Sequence, residues 1–162
     1  MKNYTLHIPE GVKDYIGAEA ALKDKIQNQI KEVFSHYSYD LIETPTFEYL
    51  NVFTVGEEDF QQPSLYHLIS RQGEMMALRS DMTRAIARVV CTQKSNTSLP
   101  QRYGYMASSF RYPARYQGKL HEFTQAGVEL IGKNCLEADA EVIKVAIAAI
   151  KAAGLEEFSI HI

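Results

Sequence analysis

Apolar residues recur every third or fourth position from about Ala18 to Tyr37, through Leu22, Ile26, Ile30 and Val33. That is the period of an amphipathic helix. A second helical run extends from Glu137 to Ala153, with Val142, Val145 and Ala149 on one stripe and Ile143, Ile147 and Ile150 on another. Gly154 follows as its stop signal. Between the two helices the pattern shortens. Leu41 to Pro45 reads as a short strand ended by proline, after a turn-rich lead-in at Ile8 to Asp14. Residues 51–62 read as a polar loop. Leu65 to Ser70 and Glu74 to Arg79 predict a hairpin across Arg71, Gln72 and Gly73. Ser80 or Asp81 then caps a helix reaching roughly Val90. Residues 95–100 form a loop, and Phe158 to Ile162 has the composition of a closing strand, as if the chain stopped inside a larger domain.

The most informative stretch is 108–132, read as a strand, a polar turn and a returning strand. Strand side chains alternate faces, so Tyr105, Ala107, Ser109 and Arg111 share one side, and so do Gln125, Gly127 and Glu129. Pairing Ser109 with Gln125 would bring both sets onto one polar surface, while a slip of one residue would separate them. Gly127 would leave a gap where a ligand approaches the backbone. The other face, with Met106, Phe110, Tyr112, Val128 and Leu130, is apolar and needs a cover. An amphipathic hairpin with its polar face in water fits the same pattern. The small residues Ala107, Ser109 and Gly127 favour a hollow instead, and a surface carrying both charge signs suits a zwitterion.

The 162 residues are 46% hydrophobic with a net charge of −3, which predicts one globular domain spanning 1–162. The charge argues against a general nucleic-acid-binding face. No apolar run reaches membrane-spanning length, and no secretory signal is visible. Cys91 and Cys135 are far apart without a CxxC, so two buried thiols in a reducing cytoplasm are expected. The five histidines lack metal-ligand spacing, and neither a metal nor a cofactor is expected. Met75 and Met76 read as core. The element order predicts an α+β fold, an antiparallel sheet flanked by helices on one side.

Taken together, these segments resemble the catalytic core of class II aminoacyl-tRNA synthetases, in the histidyl branch, from Pro9 to Ile162. Phe110-Arg111 with Phe123-Thr-Gln-Ala-Gly-Val-Glu129 resembles the second signature motif of that class. Glu43-Thr-Pro45 resembles the first, which in the family builds the dimer interface. Leu78-Arg-Ser-Asp-Met-Thr83 resembles the loop that holds the substrate α-amino group. The closer resemblance is to a paralogous family, the regulatory subunits of ATP phosphoribosyltransferase. It rests on Glu43-Thr-Pro-Thr-Phe-Glu48, on Asp81-Met-Thr83-Arg-Ala-Ile-Ala-Arg88 where synthetases read Glu-Gly-Thr, and on Glu122-Phe-Thr-Gln-Ala-Gly-Val-Glu-Leu-Ile-Gly132.

The resemblance implies a histidine-binding pocket of Asp81, Thr83, Arg111, Gln125 and Glu129, with no catalytic residues. Arg111 suits a carboxylate, because its planar fork gives two-point contact that lysine cannot reproduce. The other four can accept bonds from an ammonium. Activation of an amino acid by ATP is not expected. Pro113 replaces the acidic residue that contacts the nucleotide, Gln117, Lys119 and His121 alter the basic turn, and no glycine-rich third motif follows Gly154. Each position also has a plainer reading. Arg111 would be an ion-pair partner of Glu129, Asp81 a helix cap, His121 a solvated loop residue, and Tyr103, Tyr105, Tyr112 and Tyr116 ordinary strand residues rather than a stacking platform.

The implied role is a cytoplasmic, non-catalytic subunit, dimeric within a hetero-oligomer. Its partner would be the short-form ATP phosphoribosyltransferase catalytic subunit, with L-histidine as ligand and neither membrane nor nucleic acid as partner. The alternatives are a histidyl-tRNA synthetase catalytic-core fragment and a stand-alone amino-acid-binding or dimerisation module.

Overall fold

The computed structural model describes residues 4–56, 65–112 and 118–161. A single 3-10 turn, Tyr4–Leu6, precedes α1 (Ala18–His36), β1 (Asp40–Leu41), β2 (Phe47–Tyr49), α2 (Leu50–Thr54), β3 (His67–Ile69) and β4 (Met75–Leu78). Then come α3 (Thr83–Gln93), β5 (Gln101–Phe110), β6 (Glu122–Ile131) and α4 (Leu136–Ala152). The strands form two three-stranded sheets, ordered β1-β5-β6 and β2-β4-β3. The chain gathers into two compact units. The first holds the N-terminal segment to Asp14, Thr44–Lys94 and Ala107–Gln125; the second holds Tyr15–Glu43, Ser95–Met106 and Ala126 onward.

In the first unit β4 is the central strand, antiparallel to both neighbours, with Glu48 opposite Ala77 and Leu68 opposite Met76. The 70–74 turn is tied by Ser70, whose Oγ accepts from the backbone N–H groups of Gln72 and Glu74 at 3.2 and 3.0 Å. Phe53, Leu65 and Ala77 form a buried cluster with Leu50 against it. Glu48 is buried beside Arg88, whose Nε donates to it at 3.0 Å, so the carboxylate keeps a charged partner. In α3, Ala85 and Ile86 face inward with no exposure, as does Met82 just before the helix.

In the second unit α1 packs on α4. Phe34, Tyr39, Val145 and Ala149 are its core, joined by Val128 and Leu130 from the apolar face of β6. At Val128 and Leu130 the cover that face requires is supplied by the two long helices. Phe34 lies so close to Gly104 that a Cβ there would meet its Cδ2 at 2.9 Å. Arg102 donates from Nε and Nη2 to the two oxygens of Glu141 at 2.6 and 2.9 Å. Tyr39 adds its hydroxyl to Glu141 at 3.0 Å. Both helices end in the same capping motif. At α1 the N–H groups of Ser38 and Tyr39 donate to Ser35 and Phe34, and at α4 those of Gly154 and Leu155 donate to Lys151 and Ile150. The left-handed residue is Gly154 in one and Ser38, at φ 60°, in the other.

Several expectations need correction. The sheet of β5 is not wholly antiparallel, because β1 pairs with it in parallel, Asp40 opposite Tyr103 and Leu41 opposite Gly104. The loop expected from residue 51 begins instead as α2, and its part beyond residue 56 lies outside the described residues. The closing strand is not formed among residues 158–161, and Ile162 lies outside the described residues. Cys91 is exposed and Cys135 half-buried, so they are not two buried thiols. Met75 is 44% exposed and is not core.

Candidate functional site

Arg111 stands just past the end of β5, where its backbone N–H donates to the His121 carbonyl at 2.9 Å. One step back, the buried Ser109 hydroxyl donates to Gln125 Oε1 at 2.9 Å. The two side chains thus meet on one face of the hairpin. The facing positions ascend on β6 as they descend on β5, the order of an antiparallel hairpin. The guanidinium of Arg111 donates from Nε to the Ser80 carbonyl at 3.1 Å and lies 5.4 Å from the Phe123 ring centre. Its side chain is exposed, as a receptor for a carboxylate would have to be.

Ser80 leads directly into Asp81, whose Oδ1 accepts from the Thr83 backbone N–H at 3.1 Å. That bond holds the first amide of α3, but the N-cap position itself is Met82, so neither Ser80 nor Asp81 is the cap the sequence suggested. Asp81, Thr83, Arg111 and Gln125 all belong to the first unit. Glu129 lies farther along β6, in the second unit, and is half-buried there.

On the side where a side chain would stand, Gly127 leaves no gap. A Cβ there would collide with the ring and hydroxyl of Tyr105, so the glycine makes room for a tyrosine that is 5% exposed. Tyr103 is likewise buried, with its hydroxyl donating to Gln101 Oε1 at 2.8 Å. Both are strand core residues and not a stacking platform, while Pro113, Tyr116 and Gln117 lie outside the described residues.

His121 is not a solvated turn residue. It is 7% exposed, its Nδ1 is 2.6 Å from the Tyr66 hydroxyl, and its backbone N–H donates to Gly11 at 2.6 Å. Gly11, at φ 77°, has no room for a side chain because the imidazole lies against it. Tyr112 packs 5.4 Å from the same ring. Burial pushes the Tyr66 hydroxyl above its ordinary value, with Tyr112 and Glu10 adding to the shift.

Sequence reasoning also missed Arg79. It is 5% exposed, and its Nε donates to the Ser108 carbonyl while its Nη1 donates to that of Thr44, both at 2.7 Å. The only signal was its place in the Leu78-Arg-Ser-Asp81 run. Two cavities lie elsewhere. One of about 530 Å³ in the second unit is lined by apolar residues such as Ile30, Phe34, Val142 and Phe158. One of about 480 Å³ in the first lies along α2 and α3, beside Val55, Arg84 and Cys91. Neither is lined by the five residues of the expected pocket. Among the described residues no cluster of metal-ligating side chains occurs, and no helix is long and apolar enough to cross a membrane.

The fold is that of a class II synthetase-like catalytic core. It superposes on histidyl-tRNA synthetase of S. aureus with a TM-score of 0.77 at 27% identity, over 93% of this chain and 35% of that one. The chain belongs to the histidyl-tRNA synthetase family, whose sequence pattern matches residues 11–162. Its similarity to one branch is greater. It is 41% identical over its whole length to the ATP phosphoribosyltransferase regulatory subunit of Acetivibrio thermocellus, covering 39% of that protein. It is 43% identical over 157 residues to the same subunit of Thermoanaerobacter sp. strain X514, covering 40% of it. A crystal structure described as an ATP phosphoribosyltransferase regulatory subunit/histidyl-tRNA synthetase from Bacillus halodurans C superposes with a TM-score of 0.86 at 38% identity, over 97% of this chain and 40% of that one. The chain thus spans about two-fifths of the length of the relatives it matches.

Proposed function

We propose that this chain is part of a non-catalytic regulatory subunit that acts with the short-form ATP phosphoribosyltransferase catalytic subunit in the first step of histidine biosynthesis. The observation that carries this reading is the 41 to 43% identity, along essentially the whole chain, to proteins named as that regulatory subunit. The subunit works as a dimer within a hetero-oligomer in the cytoplasm, and L-histidine is its ligand.

In the first unit the site is Arg111 as carboxylate receptor, with Asp81, Thr83 and Gln125 as ammonium acceptors. Two features support it: Arg111 is exposed beyond its anchor on Ser80, and Asp81 follows that same Ser80 in sequence. Feedback then requires histidine to bind one state of the assembly more tightly than the other, since equal affinity shifts nothing. The test is phosphoribosyl-ATP formation by the short-form catalytic subunit with and without the full protein. Stimulation that histidine reverses is expected; no stimulation by a folded protein overturns the reading. The S. aureus likeness favours a second reading, a synthetase core that activates histidine with ATP. Histidine-dependent exchange of pyrophosphate into ATP would establish it.

A further inference from the structure

Arg79 makes several bonds to the main chain. Its Nε donates to Ser108, its Nη1 donates to Thr44 at 2.7 Å and to Pro45 at 3.2 Å, and its backbone N–H donates to Thr46 at 3.0 Å. Its carbonyl accepts from the Phe110 N–H at 2.9 Å. One residue therefore joins three stretches of the first unit: 44–46, its own, and 108–110. The proposed site hangs from two of them. Ser80, the next residue, holds the Arg111 guanidinium at 3.1 Å, and Asp81 follows it into α3. Ser109 and Arg111 lie within three residues of the carbonyl that Arg79 Nε grips.

We infer that Arg79 is the positioning residue of the amino-acid site, its fork setting the separation between the Arg111 carboxylate receptor and the Asp81 ammonium acceptor. This rests on the reading of the site given above. A zwitterion has a fixed distance between its charges, so a site that recognises it needs its two receptors held within a fraction of an ångström. Arginine is required because a planar fork can reach carbonyls on two sides at once. A lysine ammonium is a single point on a flexible stem and can hold only one of them.

The experiment compares the full protein with Arg79→Lys and with Phe53→Leu, a control that loosens the same unit without touching the Arg79 bonds. Histidine affinity is measured by calorimetry, stability by urea unfolding, and the Arg111 Nε–H exchange rate by nitrogen NMR. Arg79→Lys is expected to weaken histidine about tenfold, the size of losing one hydrogen bond to a charged group. It should also speed Arg111 Nε–H exchange, while Phe53→Leu lowers stability and changes neither. Loss of affinity in proportion to stability in both variants overturns the proposal, leaving Arg79 an ordinary structural residue. Unchanged Arg111 exchange in Arg79→Lys overturns it as well. If the wild-type protein binds no histidine while Arg79→Lys still releases Arg111, the pocket reading fails and the positioning role stands. Should Arg79→Lys not fold, native-state exchange in wild type decides: the Nε–H groups of Arg79 and Arg111 must open together in mild urea, and independent opening overturns the proposal.

Discussion

Arg79 in the first unit directs its guanidinium to backbone carbonyls of Ser108, Thr44 and Pro45. Arg102 in the second forks onto the carboxylate of Glu141, which also accepts from Tyr39. The two arrangements do different work. A carbonyl is present at every residue, so an arginine bound to carbonyls fixes where chain segments lie whatever their side chains are. An arginine bound to a carboxylate joins two particular side chains, here on β5 and α4, and its strength follows the ionisation of the partner. The first arrangement stands beside the proposed site, the second beside an apolar helix pair.

The largest effect that would break this contrast is Arg79→Met. It leaves buried carbonyls without donors, and a loss of about 3 kcal/mol is expected because hydrogen bonds to charged groups and unsatisfied buried acceptors are each costly. Urea unfolding of the full protein measures it. Arg111→Ala should abolish histidine binding by calorimetry yet change stability by less than about 0.5 kcal/mol, as exposed positions do.

Glu141→Gln sharpens the other side of the contrast. It should lower stability by about 1 kcal/mol at neutral pH, since a half-exposed charged pair is worth little more. Its pH dependence is distinctive. The hydrogen bonds from Arg102, with that from Tyr39, hold the Glu141 carboxyl below the ordinary carboxylate range. Its contribution is therefore complete above that range and is lost as pH falls through the lowered value. Thermal melts between about pH 5 and pH 2 should lose this component in Glu141→Gln. On the alkaline side, burial and then Glu141 push the Tyr39 hydroxyl up to about 12. That stabilisation is complete below the ordinary tyrosine value of about 10 and disappears as pH rises through about 12. Tyr39→Phe should remove the alkaline component and weaken the acid one, because its hydroxyl also helps hold the Glu141 carboxyl down.

The smallest effects are at the two helix ends. Gly154→Ala should cost about 1 kcal/mol, because a side chain at left-handed φ is strained. Ser38→Gly should gain a few tenths, since relief of that strain is partly offset by the freer unfolded chain. Thermal melts of both variants check the pair.

These same ends show what could be read in advance. Gly154 announces its cap by composition, whereas Ser38 looks like any loop serine, and only the hydrogen bonds reveal the shared motif. Helices α1 and α4 and the shared face of Ser109 and Gln125 were legible because periodicity and strand parity are local properties. What escaped depends on distant partners. His121 is buried by Gly11 and Tyr66, more than fifty residues away, and Gly127 is filled by Tyr105 across the hairpin. β1 finds a parallel neighbour some sixty residues on. Helix α2, five residues containing Val, Phe and Thr, has neither the length nor the composition to be seen. Arg79 escaped because the carbonyls of Ser108, Thr44 and Pro45 that it holds leave no mark in a sequence.

The central claim is that the first unit's polar framework presents an amino-acid receptor. Calorimetric titration of L-histidine into the full protein, its Arg111→Ala variant and its Glu141→Gln variant tests it most directly. The account predicts saturable binding in wild type and Glu141→Gln and none in Arg111→Ala. Equal affinity in Arg111→Ala would contradict it.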